Sequence, residues 1–422
     1  MTNYLLSCSS FNPTVSNTMV TADEALRIIL DATSRLKSEK VRLTDLLGRV
    51  LAEDVVAGEN LPPFDNSSMD GFAVLMADLV AASEANPVTL QVVGESSAGN
   101  PYPKKLKGGS AVRVMTGGMI PRGADAVVPI EATNSTDEES VKIMGPVKTG
   151  QHIRMAGEDV QQGEKILSEG ELIGPPQIGV LASLGRTKVR VFRKPLVNIL
   201  ATGDELAELD EELKEGEIRN STSYSLAAYV AQEGGMPELL GVAPDKKKRL
   251  RKRIREGLDC DILLITGGVS VGKYDFVKDI LNDIGVETLF WQINIKPGRP
   301  LVFGRFKKTL VFGLPGNPVS TSVTFLQFVR PALYKMRGRT YAPVRLRGRI
   351  DHEFSKSDGK RHYLRCVAEL VDGELHARTT GTQSSGAMSS MSKANALMII
   401  PEDVTQLRRG DAVQLELLQP HL

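Results

Sequence analysis

The clearest pattern of apolar and polar positions lies between residues 192 and 340. Four strand-like runs, LVNILAT (196–202), PELLGV (237–242), CDILLIT (260–266) and TLVFG (309–313), are mainly apolar instead of alternating. Helical patterns lie around them at 221–233, 246–257, 274–284 and 319–336. Strands that alternate with helices of this length predict parallel crossovers, and unbroken apolar strands predict a sheet covered on both faces. Upstream, Thr21 and Glu24 form a capping box, and Ala22, Ala25, Leu26, Ile29 and Leu36 share one helical face. Residues 43–51 predict a second short helix. Two prolines break the chain in LPPFDNSSMDGFAV (61–74), and short alternating runs from 88 to 131 then predict a β-rich unit. Pro175-Pro176 opens a short helix that runs to Gly185. The segment 152–194 is expected to pair with the N-terminal part, which makes the β-rich stretch an insertion. Residues 341–422 carry strand and turn signals without a long helix and predict a small β-domain, such as a barrel.

Composition narrows the function classes. The 422 residues suggest about three domains at roughly 150 residues each. With 24% charged and 41% hydrophobic residues, the chain is not globally disordered. Lys+Arg and Asp+Glu number 52 and 51, so no global field attracts nucleic acid or a membrane surface, and ligands must be held by local patches. Cys8, Cys260 and Cys366 stand apart and form no CxxC pair, which argues against a disulfide framework or a zinc site. No apolar stretch reaches the ~18 residues of a membrane span. The opening MTNYLLSCSSFNPTVSN reads as a disordered leader instead of a signal peptide, and a cytoplasmic protein is expected.

In an open parallel sheet, ligands bind beyond the carboxyl ends of the strands. Four Gly- or Pro-rich polar segments are predicted there: Gly203-Asp204-Glu205, Gly267 to Asp275, Lys296-Pro297-Gly298-Arg299-Pro300, and Leu314 to Ser320. Gly267 and Gly268 let a backbone approach an anion, and the helix opening near Ser320 offers N–H groups and a positive dipole end. Lys273, Lys296 and Arg299 can neutralise a phosphate or another oxyanion. Glu205 and Asp275 supply hard oxygen ligands suited to Mg²⁺ shared with a phosphate. Each segment alone reads as an ordinary turn; four on one edge describe a pocket for a phosphorylated small molecule and a divalent ion. There is no Walker A loop and no GxGxxG after a strand, so ATP hydrolysis and hydride transfer find no support. KKKRLRKRIR (246–255) has Leu250, Ile254 and Leu258 on one face, so its charges read as a solvated face and not as a nucleic-acid patch. His362 reads as a surface residue, and Trp291 and the aromatics around 325–334 read as core. Ser270 and Ser320 have no nearby His to make them nucleophiles.

In order along the chain stand LPPFDNSSMDGFAV, RVMTGGMIPRGADAVV, GEDV, ATGDEL, TGGVSVGKYDF, IKPGRP, GLPGNPVS and SKANAL. This set, spanning about residues 20–420, resembles the molybdopterin molybdenumtransferase family, the bacterial MoeA type and the E domain of gephyrin. The resemblance implies an α/β plus β multidomain architecture. Residues 18–61 and 152–191 would form an elongated split domain, 62–151 an inserted β-rich domain, 192–340 a molybdopterin-binding α/β domain and 341–422 a C-terminal β-barrel. It implies insertion of molybdenum from molybdate into adenylylated molybdopterin, with Mg²⁺-dependent release of AMP.

Asp70, Thr116, Asp159, Glu205, Asp245 and Asp275 match family positions tied to activity, with Glu205 and Asp275 the metal candidates. Gly267, Gly268, Ser270, Lys296, Pro297, Ser320, Arg365, Ser385 and Ser390 are the substrate-binding candidates. Gln292 departs from the family, where a basic residue often stands. A homodimer is implied, in which the inserted domain of one subunit completes the site of the other. The molybdopterin adenylyltransferase is a candidate partner. The rival reading is a scaffold of the gephyrin E-domain type without turnover; a third is a phosphate-binding sensor.

Overall fold

The strand Leu196–Thr202 is buried almost end to end because its two faces meet different cores. Val197 and Ile199 join one cluster with Ile262, Leu264 and Phe312, while Leu200 joins another with Leu263, Ile265 and Val311. Successive side chains point to opposite faces, so a strand covered on both sides is apolar throughout. The structure, a computed structural model, describes residues 19–134, 138–269 and 277–418.

Residues 40–47 and 53–190 form one compact unit, and the remainder forms a second. In the second, six strands lie in the order Met236–Ala243, Leu196–Thr202, Ile262–Thr266, Thr309–Leu314, Pro300–Phe306, Glu287–Gln292. The first four are parallel, as the pattern predicts. The last two, which the pattern missed, join through antiparallel pairings on both sides of Pro300–Phe306, so the sheet is mixed. From Leu196–Thr202 the chain moves outward to Met236–Ala243 and then returns to the other side at Ile262–Thr266. The carboxyl ends of these strands therefore diverge into a crevice at Thr202 and Thr266.

The helix Lys247–Gly257 buries Leu250 and Ile254 and turns its cations outward. The predicted 319–336 helix runs as Pro318–Thr324, a π-turn at Phe325–Val329 and Arg330–Met336. Phe325 and Phe328 are buried, whereas Trp291 is only half-buried, with the Lys278 ammonium 4.7 Å from its ring centre. Helix Ala22–Ala32 starts at the predicted cap and packs Ala25 and Ile29 into the sheet's core.

Arg345–Ile350, Arg361–Val371, Glu374–Thr379, Ala396–Ile400 and Ala412–Leu417 form a closed five-stranded barrel. It closes because Arg361–Val371 pairs with both Glu374–Thr379 and Ala396–Ile400. Glu416 of the last strand is fully buried. It accepts hydrogen bonds from Gln327 (2.8 Å) and Arg330 (3.1 Å) of the long helix, and from Arg345 (3.1 Å).

The first unit holds a six-stranded sheet in the order Ala126–Pro129, Gly71–Val74, Ser110–Val114, Val88–Ser96, Ser140–Ile143, Thr133–Asn134. Val55–Val56 pairs with Lys165–Leu167, and helix Pro175–Ser183 follows the two prolines. The helix predicted at 43–51 does not form. Only Leu43–Asp45 makes a 3₁₀ turn, and the chain then reverses at Gly48 with φ +72°. The apolar spacing there serves separate contacts: Leu46 and Leu51 are buried while Leu47 is exposed.

Candidate active site

At the crevice, the end of Leu196–Thr202 sets out an acidic cluster. The Thr202 hydroxyl donates to Asp245 Oδ1 (2.6 Å), and the Asp245 N–H donates to Asp204 Oδ1 (3.1 Å). The Glu205 carboxylate folds back over Gly203, where an added Cβ would fall 2.4 Å from Oε2. Glu205 and Asp245 line a cavity of about 370 Å³ together with Arg219, Gly267, Gly268 and the Pro315–Pro318 turn. Gly267 has φ +91°, and its Cβ position lies 2.3 Å from the Thr202 carbonyl, so only glycine fits. Its N–H is not free for an anion, as it extends the sheet to Leu314 O (3.2 Å). Gly268 keeps its N–H out of hydrogen bonds among the described residues. Ser270, Lys273 and Asp275 lie outside the described residues.

A second group forms beside the first turn of helix Pro318–Thr324. Arg365 is 1% exposed. It donates to Ser390 Oγ (3.1 Å) and to the carbonyls of Thr382 (3.3 Å) and Ser384 (3.0 Å). No carboxylate pairs with it among the described residues, and burial pushes its pKa below the usual guanidinium value. The Ser385 carbonyl accepts from Val319 N–H (3.1 Å), which occupies an N–H that the sequence offered to an anion. Ser320 is buried and does not line the cavity; its turn packs against Gly298, whose Cβ position lies 3.5 Å from Ser320 O. The exposed ammonium of Lys296, which precedes Pro297 through a cis peptide, lies 3.4 Å from Asp358 Oδ2. Gln292 accepts from Arg299 (3.1 Å).

In the other unit, Asp70 Oδ1 accepts from both the Thr116 N–H (2.7 Å) and the Thr116 hydroxyl (2.8 Å). Those bonds, the backbone one foremost, hold the Asp70 carboxyl below its usual range. Asp159 is exposed; its N–H donates to Leu61 O (3.0 Å), and its carboxylate makes no hydrogen bond among the described residues.

Residues 20–185 match the family profile described as MoeA N-terminal region (domain I and II). Residues 198–335 match the probable molybdopterin binding domain, and 347–418 the MoeA C-terminal region (domain IV). The molybdopterin molybdenumtransferase of Haemophilus influenzae is 34% identical, over 94% of this chain and 98% of its own length. That of Bacillus subtilis is 35% identical, over 95% of both. The chain belongs to the MoeA family of molybdopterin molybdenumtransferases. A solved molybdopterin biosynthesis moeA protein from Pyrococcus horikoshii superposes with a TM-score of 0.81 at 36% identity, covering 95% of this chain and 100% of its own. Gephyrin of Dictyostelium discoideum is 35% identical over 96% of this chain and 63% of its own length.

Two residues of this MoeA-family cavity, Thr202 and Arg219, escaped the sequence reading, as did the bond from the Asp245 N–H to Asp204, which the sequence placed only within its Gly203–Glu205 segment. Thr202 and Asp204 stand inside the ATGDEL motif. Their part emerges only through Asp245, 43 residues beyond Thr202, which the neighbouring parallel strand brings alongside. Arg219 precedes Asn220, the N-cap of helix Ser221–Gln232, so its sequence context reads as a helix start. His362 reads as surface in the sequence but is 4% exposed. Its ring packs edge-on against Phe354, and Nε2 lies 2.8 and 3.0 Å from the two Asp358 oxygens. It is buried because the central barrel strand carries it between Ile400 and Lys296.

Proposed function

We propose that the chain is the molybdopterin molybdenumtransferase of molybdenum cofactor biosynthesis, moving molybdenum from molybdate into adenylylated molybdopterin with Mg²⁺-dependent release of AMP in the cytoplasm. The observation that carries this reading is the cavity where Glu205 and Asp245 share a wall with Arg219 and the Gly267–Gly268 turn. The residues fit Mg²⁺, which is usually held by one or two carboxylates plus substrate phosphates and not by an all-protein cage.

Glu205 and Asp245 would hold the ion, with Asp275 a further candidate. When bound, Mg²⁺ supplies charge neutralisation on the phosphate oxygens. Arg219 and the Gly268 N–H orient the phosphates of the substrate. Thr202 keeps the Asp245 carboxylate turned to the cavity. Arg365, buried without a counter-ion among the described residues, and Lys296 draw the molybdate oxyanion, with Ser385 and Ser390 beside them. Asp70 and Thr116 complete the site from the second subunit of a homodimer. The test is an assay with adenylylated molybdopterin, Mg²⁺ and molybdate. Joint AMP release and molybdenum insertion are expected, and neither without the other; binding without turnover would overturn the reading.

A further inference from the structure

Lys296 does not stand free to meet an oxyanion. Ile295–Lys296 pairs in parallel with Arg361-His362 of the barrel, and Asn294 Nδ2 bonds Gly359 O (2.8 Å), so the loop carrying Asp358 is fastened beside the lysine. Asp358 is then shared. Buried His362 Nε2 lies 2.8 and 3.0 Å from its two oxygens, and the exposed Lys296 ammonium lies 3.4 Å from Oδ2, the oxygen both partners share. We propose that Asp358 is a built-in counter-ion which an oxyanion must displace from Lys296, and that His362 takes up a proton as the displaced carboxylate settles on it. This rests on the reading of Lys296 as an oxyanion contact.

The charges give the sign. Burial lowers the His362 pKa despite Asp358, so at neutral pH the ring is uncharged and Nε2–H donates. Asp358 remains ionised: burial alone would raise it, but His362, the Lys360 N–H and Lys296 hold it at about 2. Among the described residues, the charged groups that act on His362 are Asp358, Lys356 and Lys296. While Lys296 satisfies part of the carboxylate, His362 sees only part of its charge. An incoming molybdate dianion takes the ammonium, the carboxylate loses that partner, and the imidazole beneath it becomes the cation that replaces Lys296. Oxyanion affinity therefore rises as pH falls toward the His362 pKa. At high pH the lysine stays paired internally.

The experiment is a calorimetric titration of the full-length protein with sodium molybdate at pH 7, in two buffers of different ionisation enthalpy. The wild type is expected to absorb part of a proton per molybdate bound. Asp358→Asn is expected to bind molybdate about two- to fivefold more tightly and to lose the proton uptake, since removing a partly exposed ion pair changes affinity by that order. His362→Gln, which still donates to Asp358, loses the proton uptake and the pH dependence. Asp358→Ser repeats the first variant should the amide misfold, and thermal unfolding checks all of them. Lys296→Ala is the control for the underlying reading. If it weakens binding while Asp358→Asn also weakens it, Asp358 orients the lysine and the counter-ion proposal alone fails. Proton uptake retained in His362→Gln also overturns the proposal alone. If Lys296→Ala binds as wild type, Lys296 is not a contact and both readings fall.

Discussion

A guanidinium that is 1% exposed and, among the described residues, meets neutral oxygens carries a desolvation cost that its hydrogen bonds offset in part. In the proposed reading an incoming molybdate would offset that cost at Arg365. Arg365→Ala is expected to raise the molybdate requirement about 10- to 100-fold, the effect of losing a charge-assisted contact worth about 1.5–3 kcal/mol. AMP release measured against molybdate concentration checks this. Asp70 offers a pH test. Its carboxyl is held below the usual range, first by the Thr116 N–H and then by the Thr116 hydroxyl. A depressed folded-state pKa contributes stability present above the ordinary carboxylate value and lost as pH falls through the folded one. Thr116→Val keeps the N–H and removes the hydroxyl, so the Asp70 titration followed by NMR should move upward without reaching its ordinary value.

Strand ends and turns place these groups, and glycine marks where the backbone cannot yield. Gly267→Ala puts a Cβ 2.3 Å from the Thr202 carbonyl at a positive φ and should cost at least about 1–3 kcal/mol. At Gly316, on the same cavity, the nearest atom is 3.5 Å away, so Gly316→Ala should unfold in urea within about 0.5 kcal/mol of wild type. Glu205→Gln and Asp245→Asn should suppress AMP release while leaving the urea midpoint nearly unchanged. The elements that built this cavity were legible in the sequence: Leu196–Thr202 and Ile262–Thr266 read as apolar runs and stop at threonine, where the polar loops begin. Glu287–Gln292 and Pro300–Phe306 were not, because ETLFWQ keeps mixed polarity at the sheet edge and the second follows a Pro-Gly-Arg-Pro turn. The 43–51 segment misled because three apolar residues at helical spacing served separate contacts. His362 misled for a related reason: a polar type on a strand says nothing of the aromatic edge and carboxylate that enclose it.

At the scale of the whole molecule, the candidate residues fall in two compact units, with Asp70 and Thr116 in one and Glu205 in the other. If a dimer shares its sites between subunits, mixing Asp70→Ala with Glu205→Ala should restore activity. Half of a random mixture is heterodimer, and each heterodimer has one intact site of two. Activity should recover to about a quarter of wild type for a symmetric C₂ pair. Recovery absent despite proven subunit exchange would place the site within one chain or remove Asp70 from it.

The buried Glu416 ties the barrel's final strand to the long helix of the α/β sheet, and its timing on the ribosome follows from its place in the chain. Arg330 leaves the exit tunnel 86 residues before Glu416, although Glu233, whose carboxylate lies 3.9 Å from Arg330, has by then already emerged. Until then the helix lacks the 3.1 Å ion pair of Arg330 and the Gln327 bond to the same carboxylate. A chain released before the last strand is therefore expected to hold this helix less tightly than the full-length protein. Chains stopped at Gly410, which lack Glu416 and the whole last barrel strand, should be cleared from cells faster than full-length protein in a pulse-chase experiment.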